Sequence, residues 1–348
     1  MFRKFQWVGS SLLGVAALIT TASLGNVSSV AQNTGGTKIV ATFLPIYMFT
    51  KGVTGENGEV ELLIPPGTDP HEYQATPQNA RTIAAADVLV KNGLGFEEFL
   101  EKLVDSAGNS QLQEIDASQN IEPIEEKEDD HDHHGHNHEY HGHNDEGHIE
   151  EKEDDHDHHD HDHGDGHSHG HSHGHGHSHE EGNPHVWLDP VLAQQQVKNI
   201  RDGLIKADPN NTATYQSNAN IYLQKLQQLD QEFKTRLTPF QGCKFIVFHD
   251  AYPYLAKRYN LQQIAVVELP QDNITPKDIQ RVINTTKKYQ VKGLLAEIGF
   301  NDSRMQQIAK DVGLPIKKLD PINSGLLDPE HYFTAMRNNL KSLEAVCK

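Results

Sequence analysis

Four histidines stand apart: His71 in PPGTDPHEYQATP, His185 in NPHVWLDP, His249 in KFIVFHDAY and His331 in PEHYF, while the other 20 of the chain's 24 fall between His131 and His179. Imidazole is the commonest protein metal ligand, and three imidazole nitrogens plus one further donor make a tetrahedral zinc site. His71 follows an apolar run and a turn fixed by Pro65, Pro66 and Gly67. His185 is held between Pro184 and Pro190, and His249 emerges from the end of the run FIVF. Any one of these alone reads more readily as a turn histidine or a satisfied core histidine than as a ligand. Three of them in rigid settings form a pattern that suits zinc. Asp320 in KKLDPINSG ends the last apolar run and is the candidate fourth ligand, although an aspartate there could equally cap the next turn. Glu72 is a weaker alternative, and water a third. His331 opens the C-terminal helix on a solvated turn and is left out.

These residues must be positioned by alternating strands and helices. KIVATF, GEVELLIPPG and VLVKNG read as strands, with helices in PIYMFTKGVTG, in TPQNARTIAAAD behind a Thr76 cap and Pro77, and in FEEFLEKLVDSA. After the histidine-rich segment, KFIVFHD, QQIAVVEL, VKGLLAEI and PIKKLD read as strands, separated by helices at residues 251–259, 275–290 and 303–312. Such alternation argues for parallel sheets with helical crossovers, an α/β class. Strand ends at the carboxyl edge of these sheets are where ligands bind. Between the two halves, residues 210–239 carry Tyr215, Ile221, Tyr222, Leu226, Leu229, Phe233 and Leu237 near helical spacing and read as one long helix. Two lobes joined by it would have a stiff connection.

The histidine-rich segment is an insert of a different character. IEEKEDDHDHHGHNH from Ile124 recurs as IEEKEDDHDHHDHDH from Ile149, ahead of an alternating HSHGHSHGHGHSH tract. Residues 122–181 hold 21 of the chain's 49 acids and two lysines, which accounts for the whole net charge of −19 and leaves 28 acids against 28 bases elsewhere. A segment so polar cannot bury enough apolar surface to offset ordering, so a mobile loop is expected. It would attract cations. With no basic patch elsewhere, nucleic-acid binding has no support, and a monomer is expected. The expected organisation is a signal peptide over 1–31, an N-terminal lobe from 38–121 and 182–209, the loop 122–181, a linking helix 210–239 and a C-terminal lobe 240–348. The signal rests on Arg3 and Lys4 ahead of the apolar run 12–19, with small residues Ser29 and Ala31 placed for cleavage. No cysteine stands just after that run to become a mature N-terminus, so an exported protein without a lipid anchor is expected. In an oxidising compartment Cys243 and Cys347 could pair, a point their spacing leaves open.

The segments PPGTDPHEYQATP, NPHVWLDP and FHDAYPYLAKRY, with the acidic histidine-rich insert just ahead of the second, resemble the solute-binding proteins of metal ABC transporters, specifically the zinc-uptake (ZnuA) type. The resemblance covers the chain from about Lys38 to Lys348. It implies two α/β lobes with mostly parallel sheets joined by a long rigid helix, with the metal in the cleft between them. It also implies His71, His185, His249 and Asp320 as ligands, Zn²⁺ as cargo and an ABC membrane permease as partner. Manganese-type relatives carry glutamate at the position of His249, and the histidine here favours zinc. The expected function is periplasmic zinc capture and delivery, without catalysis. A zinc buffer or metallochaperone acting through the loop is the alternative. A zinc hydrolase is weaker still, since the chain lacks an HExxH helix and offers only Glu72 as an evident base.

Overall fold

The structure, a computed structural model, describes residues 36–125, 182–266, 276–291, 293–298 and 303–348. The expected signal peptide and the loop beyond residue 125 lie outside the described residues. No helix among the described residues is long and apolar enough to cross a membrane.

Among the described residues, eight strands form two parallel sheets. In the first, β1 (Lys38–Ala41), β2 (Glu59–Leu62), β3 (Val88–Lys91) and β4 (Gln113–Asp116) lie in the order β2-β1-β3-β4. In the second, β5 (Lys244–Val247), β6 (Gln262–Ala265), β7 (Leu294–Glu297) and β8 (Ile316–Leu319) repeat it as β6-β5-β7-β8. In this order successive strands are added first on one side of the starting strand and then on the other. Beyond the carboxyl ends of β1 and β3, and of β5 and β7, the connections therefore diverge and open a crevice.

The intervening helices are α1 (Leu44–Thr54), α2 (Pro77–Ala84), α3 (Leu100–Ala107), α4 (Pro190–Ala207), α5 (Thr212–Leu237), α6 (Pro253–Arg258), α7 (Pro276–Tyr289), α8 (Ser303–Val312) and α9 (Pro329–Cys347). Proline sits in the first turn of α1, α2, α4, α6 and α9, where its missing N–H costs nothing and its fixed φ suits the helix. Thr76 and Asn79 form the capping box of α2, and Asp189 and Asp328 cap α4 and α9. FEEFLEKLVDSA is helical only from Leu100. The Glu97 carboxylate instead accepts from the amides of Asn92 (2.6 Å) and Gly93 (3.2 Å), which folds residues ahead of α3 into a turn against β3.

Helix α5 holds the lobes together. It buries Tyr215, Tyr222, Leu226, Leu229, Phe233 and Leu237, while Ile221, expected on the same stripe, is 53 % exposed. Its N-terminal half meets α1, where Asn218 donates to the Val53 carbonyl at 3.1 Å. Its C-terminal half pairs with α9 through Glu232 to Arg337 (2.9 Å) and Arg236 to Glu344. One apolar cluster contains Phe43, Phe49 and Trp187 together with Phe233, Tyr252 and Tyr332, so packing is continuous between the two sheets. A disulfide joins Cys243, at the start of β5, to Cys347, at the end of α9.

Candidate metal centre

His71, His185 and His249 come from three separate elements and meet between the sheets. Strand β2 continues through Leu63 and Ile64, whose amides bond to the carbonyls of Ala41 and Thr42. The chain then turns at Pro65, Pro66 and Gly67, the last at φ 85°, a conformation glycine adopts freely. Asp69 Oδ1 accepts the amide of His71 at 3.0 Å, and that turn directs the imidazole inward. His185 precedes a short 3₁₀ turn, Val186–Leu188, all of it buried. Asn92, at the end of β3, donates to the Pro184 carbonyl at 3.0 Å and seats that segment on the first sheet. His249 follows β5, and its amide donates to Glu297 Oε1, at the end of β7, at 3.0 Å.

The three rings converge. His71 Nε2 lies 3.2 Å from His185 Nε2, against the roughly 3.3 Å edge expected of a tetrahedron with zinc–nitrogen bonds of about 2.05 Å. One nitrogen from each of the three histidines lies within 4.8 Å of the other two. His185 and His249 are buried at 3 % and 1 % exposure, while His71 is half-buried and faces a cavity of about 600 Å³ lined by Tyr73, Phe96 and Phe99. Phe96 and Trp187 wall the site, Phe96 with its centroid 5.0 Å from the His71 ring and Trp187 5.1 Å from the His185 ring.

Each buried imidazole has its Nδ1 engaged. His185 Nδ1 is 3.0 Å from Asn183 Oδ1, and His249 Nδ1 is 2.5 Å from Glu297 Oε2. An acceptor on Nδ1 fixes the proton there and leaves the Nε2 lone pair for a metal, the usual arrangement behind a zinc-bound histidine. Burial opposes a positive charge on His249, but Glu297 outweighs it, helped by Asp69 and Asp250, and holds the imidazole above its ordinary range. A divalent cation held at Nε2 would compete with the second ring proton only, while Nδ1 would keep its proton toward Glu297.

Asp320 lies one residue beyond β8 and outside this cluster. Strand β8 is two places from β5, roughly 10 Å across the sheet. Its Oδ1 accepts the Ile322 amide at 2.7 Å, and burial raises its pKa. Glu72 is exposed. His331 Nε2 lies 3.4 Å from the Ser324 carbonyl. Glu297 and Asn183 were not picked out from sequence. Glu297 ends the apolar run GLLAE just as His249 ends FIVF, a signal that was available. Phe96 carries no such signal.

The family model described as "Zinc-uptake complex component A periplasmic", ZnuA, matches residues 39–346. The chain is 30 % identical over 352 residues to the high-affinity zinc uptake system protein ZnuA of Bacillus subtilis (strain 168), covering 99 % of this chain and 98 % of that protein. It is 32 % identical to the zinc-binding lipoprotein AdcA of Streptococcus pneumoniae (strain ATCC BAA-255 / R6) over 91 % of this chain, and spans 57 % of AdcA. Among solved structures, a ZnuA deletion mutant with zinc bound superposes with a TM-score of 0.68 at 25 % identity, covering 90 % of this chain and 99 % of that one.

Proposed function

The chain belongs to the ZnuA family of zinc-uptake components, and from that premise we propose that His71, His185 and His249 hold the zinc ion it captures. The protein is the extracytoplasmic solute-binding component of an ABC-type zinc uptake system and not an enzyme. The observation that carries the site is the convergence of three imidazoles from both lobes, one nitrogen from each within 4.8 Å of the others. An all-nitrogen triad suits zinc over manganese, which prefers oxygen donors. Asp320 stands fourth in the proposal through its Oδ2, which would have to move toward the ion because the residue lies outside the histidine triad in this structure. Competitive titration with zinc and manganese tests the reading: zinc should win by a wide margin, and equal affinity would contradict it.

The same reading assigns residues 38–121 and 182–209 to the N-terminal lobe, 210–239 to the linker and 240–348 to the C-terminal lobe. Export would use the leader over 1–31, with both cysteines engaged in the disulfide rather than in lipid attachment. The protein would act as a monomer on a membrane permease, without nucleic acid. The insert 122–181 would supply weaker, exchangeable zinc sites that raise the local zinc concentration beside the cleft.

A further inference from the structure

We propose that Asn183, which no ligand list would include, is a positioning residue for zinc: it aims His185 and, with the same side chain, ties that ligand to the lobe that carries His249. This rests on His185 being a zinc ligand.

Every polar group of Asn183 is used. Its Oδ1 accepts the His185 amide at 3.1 Å and lies 3.0 Å from His185 Nδ1. Its Nδ2 donates to the Asp250 carbonyl at 2.7 Å, one residue beyond His249. Because a carbonyl can only accept, this bond fixes which end of the amide is Oδ1, and an accepting Oδ1 in turn requires the proton on Nδ1 of His185. The lone pair is then on Nε2, which faces His71 Nε2. One planar side chain therefore sets both the tautomer of one ligand and its offset from another, with the His185 and His249 ring centroids 5.2 Å apart.

The backbone of Asn183 anchors that side chain. Its amide donates to the Ile124 carbonyl at 2.9 Å, and its carbonyl accepts from Tyr254 Oη at 2.5 Å. Tyr254 Oη also accepts the Ile124 amide at 3.0 Å, so both roots of the acidic insert are pinned to the C-terminal lobe at this one residue. Gly182, at φ 80°, precedes it where a Cβ would meet Pro123 at 2.8 Å, leaving the root no slack. Asn183 is itself buried at 1 % exposure, so water cannot replace what it supplies.

The test uses the full-length chain, with zinc competed against a chromogenic chelator, and ¹⁵N imidazole spectra of the zinc-free protein, the His185 signals being assigned by their loss in His185→Ala. Asn183→Ala should weaken the tight site 10- to 100-fold, the range for partners outside the ligand set, and should turn the His185 pattern from one tautomer into a mixture. Asn183→Asp keeps an acceptor on Nδ1 but faces Asp250 with an oxygen. It should restore the single tautomer and recover only part of the affinity. Should Asn183→Ala not fold, Asn183→Ser, too short to reach Nδ1, must give the same two changes. Affinity within twofold of the parent in Ala or Ser overturns the proposal, as does a loss of affinity with the His185 spectrum unchanged. His185→Ala separates the two readings: if it keeps the tight site, His185 is no ligand, whereas if it loses the site while Asn183→Ala does not, only the positioning role fails.

Discussion

A zinc ion needs imidazole nitrogens that are already aimed, and the three histidines proposed to hold it are positioned by different means. His185 relies on an amide and His249 on a buried carboxylate, while His71 sits half-exposed on a proline-braced turn. Replacing any one with alanine should weaken the tight site by more than about 100-fold, beyond the usual cost of losing an outer partner, with little change in melting temperature. A chelator competition assay reads this directly, and near-parental affinity in all three would remove the assignment. His249→Glu should shift the zinc-to-manganese preference toward manganese by exchanging a nitrogen for an oxygen donor. Competition calorimetry with an unchanged ratio would count against the role of His249. A separate residue carries a pH dependence. Burial pushes Glu97 from 4.5 up to about 7, so its folded state favours the proton. Its contribution is complete below pH 4.5 and is lost as the pH rises through about 7, roughly 3 kcal/mol in all. Glu97→Gln should flatten that part of the slope between pH 5 and pH 8 in urea denaturation of the zinc-free protein, and an identical slope would contradict it. The three histidines were legible because each ends a strand or sits among prolines. Their partners were not, since a hydrogen bond between residues 48 apart, as in His249 to Glu297, leaves no local pattern.

At the scale of elements, the alternation of apolar runs with helical periods was enough to read parallel α/β architecture, and the prolines marked helix starts. Strand β4 was missed because only Ile115 of its four residues is buried, so it presents no apolar run. Helix α4 was not assigned although its buried Ala193, Val197, Ile200 and Leu204 recur at helical spacing, diluted by the polar run QQQ. The strand order of each sheet was beyond reach, since crossover direction is settled by long-range packing. The disulfide between Cys243 and Cys347 spans 104 residues of sequence, from the first strand of the second sheet to the last helix. By the chain-entropy account, closing a loop of this length stabilises by roughly 4.7 kcal/mol. Reduction, or Cys243→Ser with Cys347→Ser, should therefore lower the urea midpoint of the zinc-free protein markedly. An unchanged midpoint would show that α9 is held by its packing on α1, α5 and β8 without help from the disulfide.

Across the whole molecule, two kinds of histidine coexist: three set in a cleft by both lobes, and 20 between residues 131 and 179 in a repetitive acidic segment. A shared apolar core and the α5 ion pairs make the lobes one body, so the three cleft histidines are held in place before any ion arrives. The roots of the insert meet where the Asn183 amide donates to the Ile124 carbonyl at 2.9 Å, so closing the chain between them costs the fold little. Tight binding should accordingly belong to the cleft and weak, multiple binding to the insert. The direct measurement is a zinc titration of the protein lacking residues 122–181, alone and with His71, His185 and His249 all changed to alanine. One tight equivalent should survive the deletion and vanish with the triple substitution. Loss of the tight site on deletion alone, or its survival without the three histidines, would contradict the account.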